Sequence, residues 1–246
     1  MRPVKKSSPG DTVNYMDSQG NCVQHRICDD YASYGDAKMP LVGDIGQYCS
    51  YCECPRDVDA LGVEHLAAKS RGGSETAWEN FLLSCTVCNS CKGVATVDSN
   101  YHWPHVNNTF LSFLYDKTGR VKVNPNIPAI SQIKARNLLE LVHLERYPNT
   151  DSRPTAKDFR WRKRFEAWNR ASRYRNLYLE NRINEDDVIN QAKDKGFWSV
   201  WFTVFAGIDA ILSRLISEFP GTCSNCFDEH NHYVPIERNH GKEDPV

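Results

Sequence analysis

Two Cys-x2-Cys pairs, Cys49/Cys52 and Cys85/Cys88, enclose 32 residues that hold the step Glu64-His65 and Asn80, and Asn89 follows the second pair directly. Each pair offers two thiolates from one tight turn, so the four together suit a tetrahedral zinc ion. Such a closed site leaves no coordination position for substrate, and its role is structural. Zinc binding of this kind contributes on the order of 10 kcal/mol to folding. Chemistry must then come from the enclosed segment. The Glu64 carboxylate and the Asn89 amide oxygen are hard donors that suit Mg2+ or a similar ion. The imidazole of His65, with an ordinary pKa near 6.5, can take a proton from an attacking water. Together these groups describe metal-assisted hydrolysis of a phosphodiester.

Positioning them requires a scaffold, and the pattern supplies one. "LGVEHLA" reads as a strand ending at Glu64-His65, Arg71-Gly72-Gly73 as a turn, and "ENFLLS" as a returning strand. A helix starting near Thr86 carries Asn89 and brings it close to His65. In this form the segment resembles the HNH nucleases of the ββα-metal fold. The likeness covers about 45 residues and rests on His65, Asn80 and Asn89, spaced by 15 and 9, and on the ending "CTVCNSCKG", which follows the pattern Cys-x2-Cys-Asn-x2-Lys.

The resemblance implies that His65 activates water, that Glu64 and Asn89 bind the catalytic metal, and that Asn80 pins the hairpin loop. It departs from the family at Glu64, where Asp is more usual, at Asn89 in place of a final His, and at Ala68 in place of a frequent Pro. Lys69 and Arg71 in the loop are candidates for phosphate contact, and Lys92 at the segment's end is a third. DNA is favoured as substrate, with RNA such as tRNA as the alternative. A reading from another class is a non-catalytic zinc module that binds nucleic acid or protein.

Beyond this segment, the start "MRPVKK", the run "FLSFLYDKTGRVKVNP" and the helix after it resemble the HNH subunits of bacterial Septu-type and retron-associated anti-phage systems. That likeness implies an ABC or SMC-like ATPase as partner, or a retron reverse transcriptase-RNA complex, and degradation of nucleic acid once infection is sensed.

The remaining chain sets the frame. With 246 residues, 40% hydrophobic, 25% charged and a net charge of -1, the composition is that of a folded protein, and global charge says nothing about partners. The expected class is α+β, mainly helical. An extended arm over 1–45, rich in Gly, Asp, Ser and Pro, leads into the zinc-bracketed module at 46–96. A hairpin and helix follow over 97–148, with the turn at Asp116 to Gly119, and then a helical region over 149–246. Residues 151 to 182 hold ten Lys or Arg against four acids, a local excess of six positive charges. Trp161, Phe165 and Trp168 step along one face of a helix there, so aromatics are expected inside and arginines outside. Arg160 and Arg164 then become candidates for tracking a phosphate backbone.

From 197 to 219 the apolar residues keep a four-and-three step, read as one buried helix, because Asp209, Arg214 and Glu218 argue against a membrane span. The start of the chain lacks the apolar run of a signal peptide, and cysteines grouped in pairs fit a reducing compartment, so a cytoplasmic location is expected. Cys54 and Cys91 exceed four-coordination and read as small thiols, although Cys91 could exchange with Cys88. Cys223, Cys226, His230 and His232 have ligand types for a second zinc, helped by Cys22, His25 and Cys28, but their irregular spacing favours free thiols.

Overall fold

The computed structural model describes residues 1–95 and 99–246. The end of the expected module at residue 96 falls outside them. The segment expected as an arm folds locally. Strands β1 (Thr12–Met16) and β2 (Cys22–Arg26) pair antiparallel from Thr12↔Arg26 to Met16↔Cys22, and Asp17 closes their turn by accepting from the N–H groups of Gln19 and Asn21. Helix α1 (Lys38–Ile45) follows. Met1 to Val4 are buried, and the Arg2 guanidinium donates to the carbonyls of Pro220 (2.7 Å) and Ile45 (2.5 Å). The N-terminal segment therefore belongs to the core, and its short, mostly polar strands had too little apolar periodicity to show this.

Strands β3 (Leu61–His65) and β4 (Phe81–Cys85) then form an antiparallel hairpin, and α2 (Thr86–Lys92) follows at once, as the spacing predicts. A short helix, α3 (Thr109–Ser112), is capped by Asn108, whose side chain accepts from the N–H groups of Phe110 and Leu111. The second expected hairpin forms as β5 (Phe113–Tyr115) and β6 (Val121–Val123), and α4 (Ala129–Leu141) is the helix expected after it.

The helical half is α5 (Arg160–Leu179), α6 (Glu185–Lys195), α7 (Trp198–Val204) and α8 (Asp209–Glu218), closed by the small pair β7 (Phe227–Asp228) and β8 (Val234–Pro235). The apolar run expected as one helix is two, because the chain breaks between Phe205 and Ile208 where Gly207 takes φ +84°. Helix α6, which buries Val188, Ile189 and Ala192, carries a capping box of Asn184 and Asp187.

In α5 the expected polarity is inverted. Arg160 and Arg164 are 3% and 2% exposed, whereas Phe165 is 39% exposed and Trp161 and Trp168 are half-buried. The cause lies in the chain leaving α4, whose carbonyls need donors. Arg160 donates to the carbonyls of Val142 (2.7 Å) and His143 (3.0 Å), and Arg164 to those of Leu144 (3.2 Å) and Gly119 (3.0 Å). Asp158 neutralises Arg160 at 2.6 Å. Buried apolar side chains gather in two clusters. One joins the N-terminal segment, the hairpin β3–β4 and α4 through Leu41, Trp78, Phe81 and Leu138. The other fills the space between α6, α7 and α8 with Val188, Trp198, Trp201 and Leu215.

Candidate metal centre and active site

The first cysteine pair sits in a tight turn in which the Glu53 N–H donates to the Cys49 carbonyl at 2.9 Å, and Ser50 N–H ties that turn to β4 through the Leu83 carbonyl at 2.8 Å. Cys85 ends β4 and Cys88 lies one turn into α2. All four are buried, and their sulfurs lie within 4.8 Å of one another. The Cys52 and Cys85 sulfurs are 3.8 Å apart, close to the edge of about 3.8 Å of a tetrahedron with zinc-sulfur bonds of about 2.3 Å. Burial pushes the Cys49 and Cys88 thiols well up, while hydrogen bonds from Cys49, Cys52 and Cys88 push Cys85 down. Four convergent sulfurs with a thiolate already favoured are a donor set that fits zinc. Arg160 adds a positive charge at their rim, its Nη1 lying 3.2 Å from the Cys88 sulfur.

At the other end of the hairpin, His65 pairs with Phe81 across the strands. The loop between them is pinned by one side chain. Asn80 Oδ1 accepts from the Ala67 N–H at 2.8 Å, and Nδ2 donates to the carbonyls of Ala67 (3.0 Å) and Ser74 (2.7 Å). Gly73 permits the closure, since a Cβ there would stand 1.9 Å from the Ala67 carbonyl oxygen. Within this loop the His65 Nε2 meets the Glu75 carbonyl at 3.1 Å. A carbonyl only accepts, so the proton sits on Nε2 and Nδ1 keeps its lone pair. The rings of Tyr34 and Phe81 flank the imidazole edge-on, at 5.3 and 5.1 Å. Burial holds the His65 pKa below its ordinary value, although the Glu75 carbonyl pulls the other way. A neutral imidazole at pH 7 results.

Glu64, the preceding residue, leaves the strand on the opposite face. It is 2% exposed, and its Oε1 lies 2.9 Å from the Lys92 ammonium, which also donates to the His65 carbonyl at 2.8 Å. Burial raises the Glu64 carboxyl while Lys92 favours its anion. Its other oxygen has only a long contact from Ser84 Oγ, 3.4 Å. Asn89 is exposed on α2 one turn before Lys92, and its amide nitrogen is 3.8 Å from where a Cβ on Gly62 would stand. Gly62 and Glu64 share a face of β3, so the structure brings Glu64, Asn89 and Lys92 to one side of the strand and places His65 at the loop side. A carboxylate and an amide are hard-oxygen residue types of the kind Mg2+ takes, and here the carboxylate is already paired with Lys92.

Of the candidates for phosphate contact, Lys69 and Arg71 stand in the loop. Lys69 pairs with Glu75 at 2.7 Å over the Tyr34 ring, and Arg71 is exposed. Lys92, Arg160 and Arg164 are buried and bonded within the protein, which takes them away from any nucleic-acid backbone. Lys92 is drawn inward by the buried Glu64, and the two arginines by the carbonyls after α4. Tyr34 and Glu75 went unnoticed in the sequence. Tyr34 comes from the N-terminal segment, and Glu75 contributes through its main chain, where side-chain type gives no signal.

The other ligand-rich stretch does not assemble. Cys223 and Cys226 are buried, but His230 and His232 are exposed and pair with Glu229 and Asp209, and Cys22 and Cys28 are exposed elsewhere. Among the described residues, Cys49, Cys52, Cys85 and Cys88 form the group of cysteine, histidine and acidic side chains close enough to share a cation. Also among them, no helix is long and apolar enough to cross a membrane.

Residues 49–94 match the family model for HNH endonucleases. That segment of the chain is thus similar to an HNH endonuclease domain. No curated protein matches the chain significantly.

Proposed function

We propose that the chain is a metal-dependent endonuclease that hydrolyses phosphodiester bonds, with DNA as the favoured substrate. The observation that carries this reading is His65. Its Nε2 is fixed by the Glu75 carbonyl, its loop is pinned by three Asn80 hydrogen bonds, and burial keeps it neutral. Nδ1 is then the atom that accepts the proton of an attacking water. Glu64 and Asn89 would hold a Mg2+ or similar ion, which when bound polarises a phosphate oxygen. Asn80 acts through the loop as a positioning residue, and Lys69 and Arg71 meet the phosphates on the loop side. The four cysteines hold zinc and keep both ends of the scaffold in place.

Support for a wider role comes from the resemblance of the first residues and the β5–β6 hairpin to HNH subunits of Septu-type and retron-associated systems. On that basis the protein is a cytoplasmic effector of anti-phage defence that works beside an ABC or SMC-like ATPase or a retron reverse transcriptase-RNA complex. The test is to purify the protein with the products of its neighbouring genes and to offer plasmid, single-stranded DNA and tRNA with Mg2+. Cleavage by the wild type, lost in His65→Ala while folding and binding persist, supports the enzyme. Equal behaviour of the two proteins overturns it, and cleavage confined to tRNA moves the substrate to RNA.

A further inference from the structure

A recess of about 340 Å³ opens between the strap Lys5 to Pro9 and the 3-10 turn Trp78–Asn80, with His105 and Arg238 completing its wall. Three cations, Lys5, Lys6 and Arg238, face one carboxylate, Glu79. The way the cations are held matters more than their number. Lys6 donates to the carbonyls of Trp78 (2.5 Å) and Phe81 (2.8 Å) and lies over the Trp78 indole, 4.7 Å from its centre. Arg238 donates through Nη1 to the carbonyls of Val4 (3.1 Å) and Pro104 (3.3 Å). Carbonyls and an indole face fix a cation in place without cancelling its charge. Asp44, the acid that Lys6 feels most, already accepts from the Ser7 N–H and hydroxyl.

His105 lines the same recess, and its buried Nδ1 has no hydrogen-bond partner among the described residues. Burial, with Lys6 and Arg238 beside it, pushes its pKa down to about 3, so the ring is neutral and adds no charge of its own.

We propose that this recess is a phosphate-binding site, and that it holds a phosphate of the nucleic-acid strand flanking the bond to be cut. The placement supports the second half, which rests on the nuclease reading above. Trp78 and Glu79 form the recess wall, the next residue is the loop-pinning Asn80, and Phe81, whose carbonyl Lys6 grips, pairs with His65. One continuous stretch of chain therefore forms the recess on one side and the catalytic loop on the other. A free nucleotide offers the same phosphate chemistry, and the test separates the two sources.

The test uses the full chain carrying His65→Ala, so that strands are bound and not cut, with Lys5→Ala and Glu79→Gln added in turn. Both added positions are exposed, and thermal melting checks that each variant folds. Binding of a labelled duplex and of a labelled single strand is read by fluorescence anisotropy across a salt series. Lys5→Ala is expected to weaken binding and to lower the salt slope by about 0.9 for duplex or 0.7 for single strand. Glu79→Gln is expected to tighten binding, a gain that misfolding would not give. Inorganic phosphate and a nucleoside monophosphate are titrated as competitors and should displace the strand more weakly from Lys5→Ala. If both small anions bind in a Lys5-dependent way but strand binding ignores both substitutions, the ligand is a free nucleotide and the flanking role is overturned. If neither substitution changes any binding, the site itself is overturned. Should the wild type cleave no strand while these shifts appear, the nuclease assignment fails and the phosphate site stands.

Discussion

Two regions of the molecule each hold a buried Cys-x2-Cys pair next to histidine, and only one assembles a metal site. Around residues 49–89 the hairpin folds the chain back on itself, so that Cys85, at the foot of β4, returns to the turn of Cys49 and Cys52, and α2 swings Cys88 in behind it. Around residues 223–232 the second half of a site never arrives. His232 turns outward to Asp209 and His230 to Glu229. Local spacing makes a knuckle, whereas a second antiparallel strand in register makes a centre.

The sharpest way to break that comparison is to exchange one cysteine from each region. Cys85→Ser should remove the zinc and with it on the order of 10 kcal/mol, seen as lost metal content and a collapsed melting transition. Cys223→Ser should leave metal content unchanged and cost about 1 kcal/mol. Loss of a metal equivalent in the second variant would restore a second zinc site. Next in size is Lys92→Met, which strands the buried Glu64 and should cost about 3–5 kcal/mol in urea unfolding without added divalent cation. Adding Glu64→Gln should recover much of it.

Histidines give the third contrast. His65→Ala should lower cleavage by about 10²-fold or more with little change in melting, and His232→Ala should leave cleavage as it was. In the wild type the rate should hold as pH falls to 6.5 and drop only below it, because burial lowers the His65 pKa and the base must be unprotonated. The last contrast is at His105. Unfolded, this residue takes up its proton near pH 6.5, and in the fold only near about 3. Acid therefore favours the unfolded chain across that window. His105→Gln should flatten the decline of the urea midpoint between those two values.

What could be read in advance follows the same division. The hairpin, α2, the four sulfurs and the step Glu64-His65 were legible because they depend on contacts within about forty residues and on alternation along two strands. The polarity of α5 was not. An amphipathic reading assumes that charge faces water, and Arg160 and Arg164 break it because they donate to main-chain carbonyls of Val142, His143 and Leu144, which no side-chain type announces. Lys92 escaped because its partner Glu64 is itself a buried charge, which the same assumption excludes. The break in the apolar run at Gly207 was visible locally, but the strong apolar stripe outweighed it.

One joint between the halves has a practical meaning. Glu53, inside the first zinc knuckle, receives the Ser199 hydroxyl at 2.6 Å, and its carbonyl accepts the Phe197 N–H at 2.9 Å, while Arg160 leans on Cys88 from the other side. The nuclease segment is thus not a cassette to be cut out and grafted elsewhere. Shortening the protein to its catalytic piece would bare a carboxylate, a carbonyl and a thiolate that the helices now cover, and starving a cell of zinc would loosen those helices along with the blade they hold.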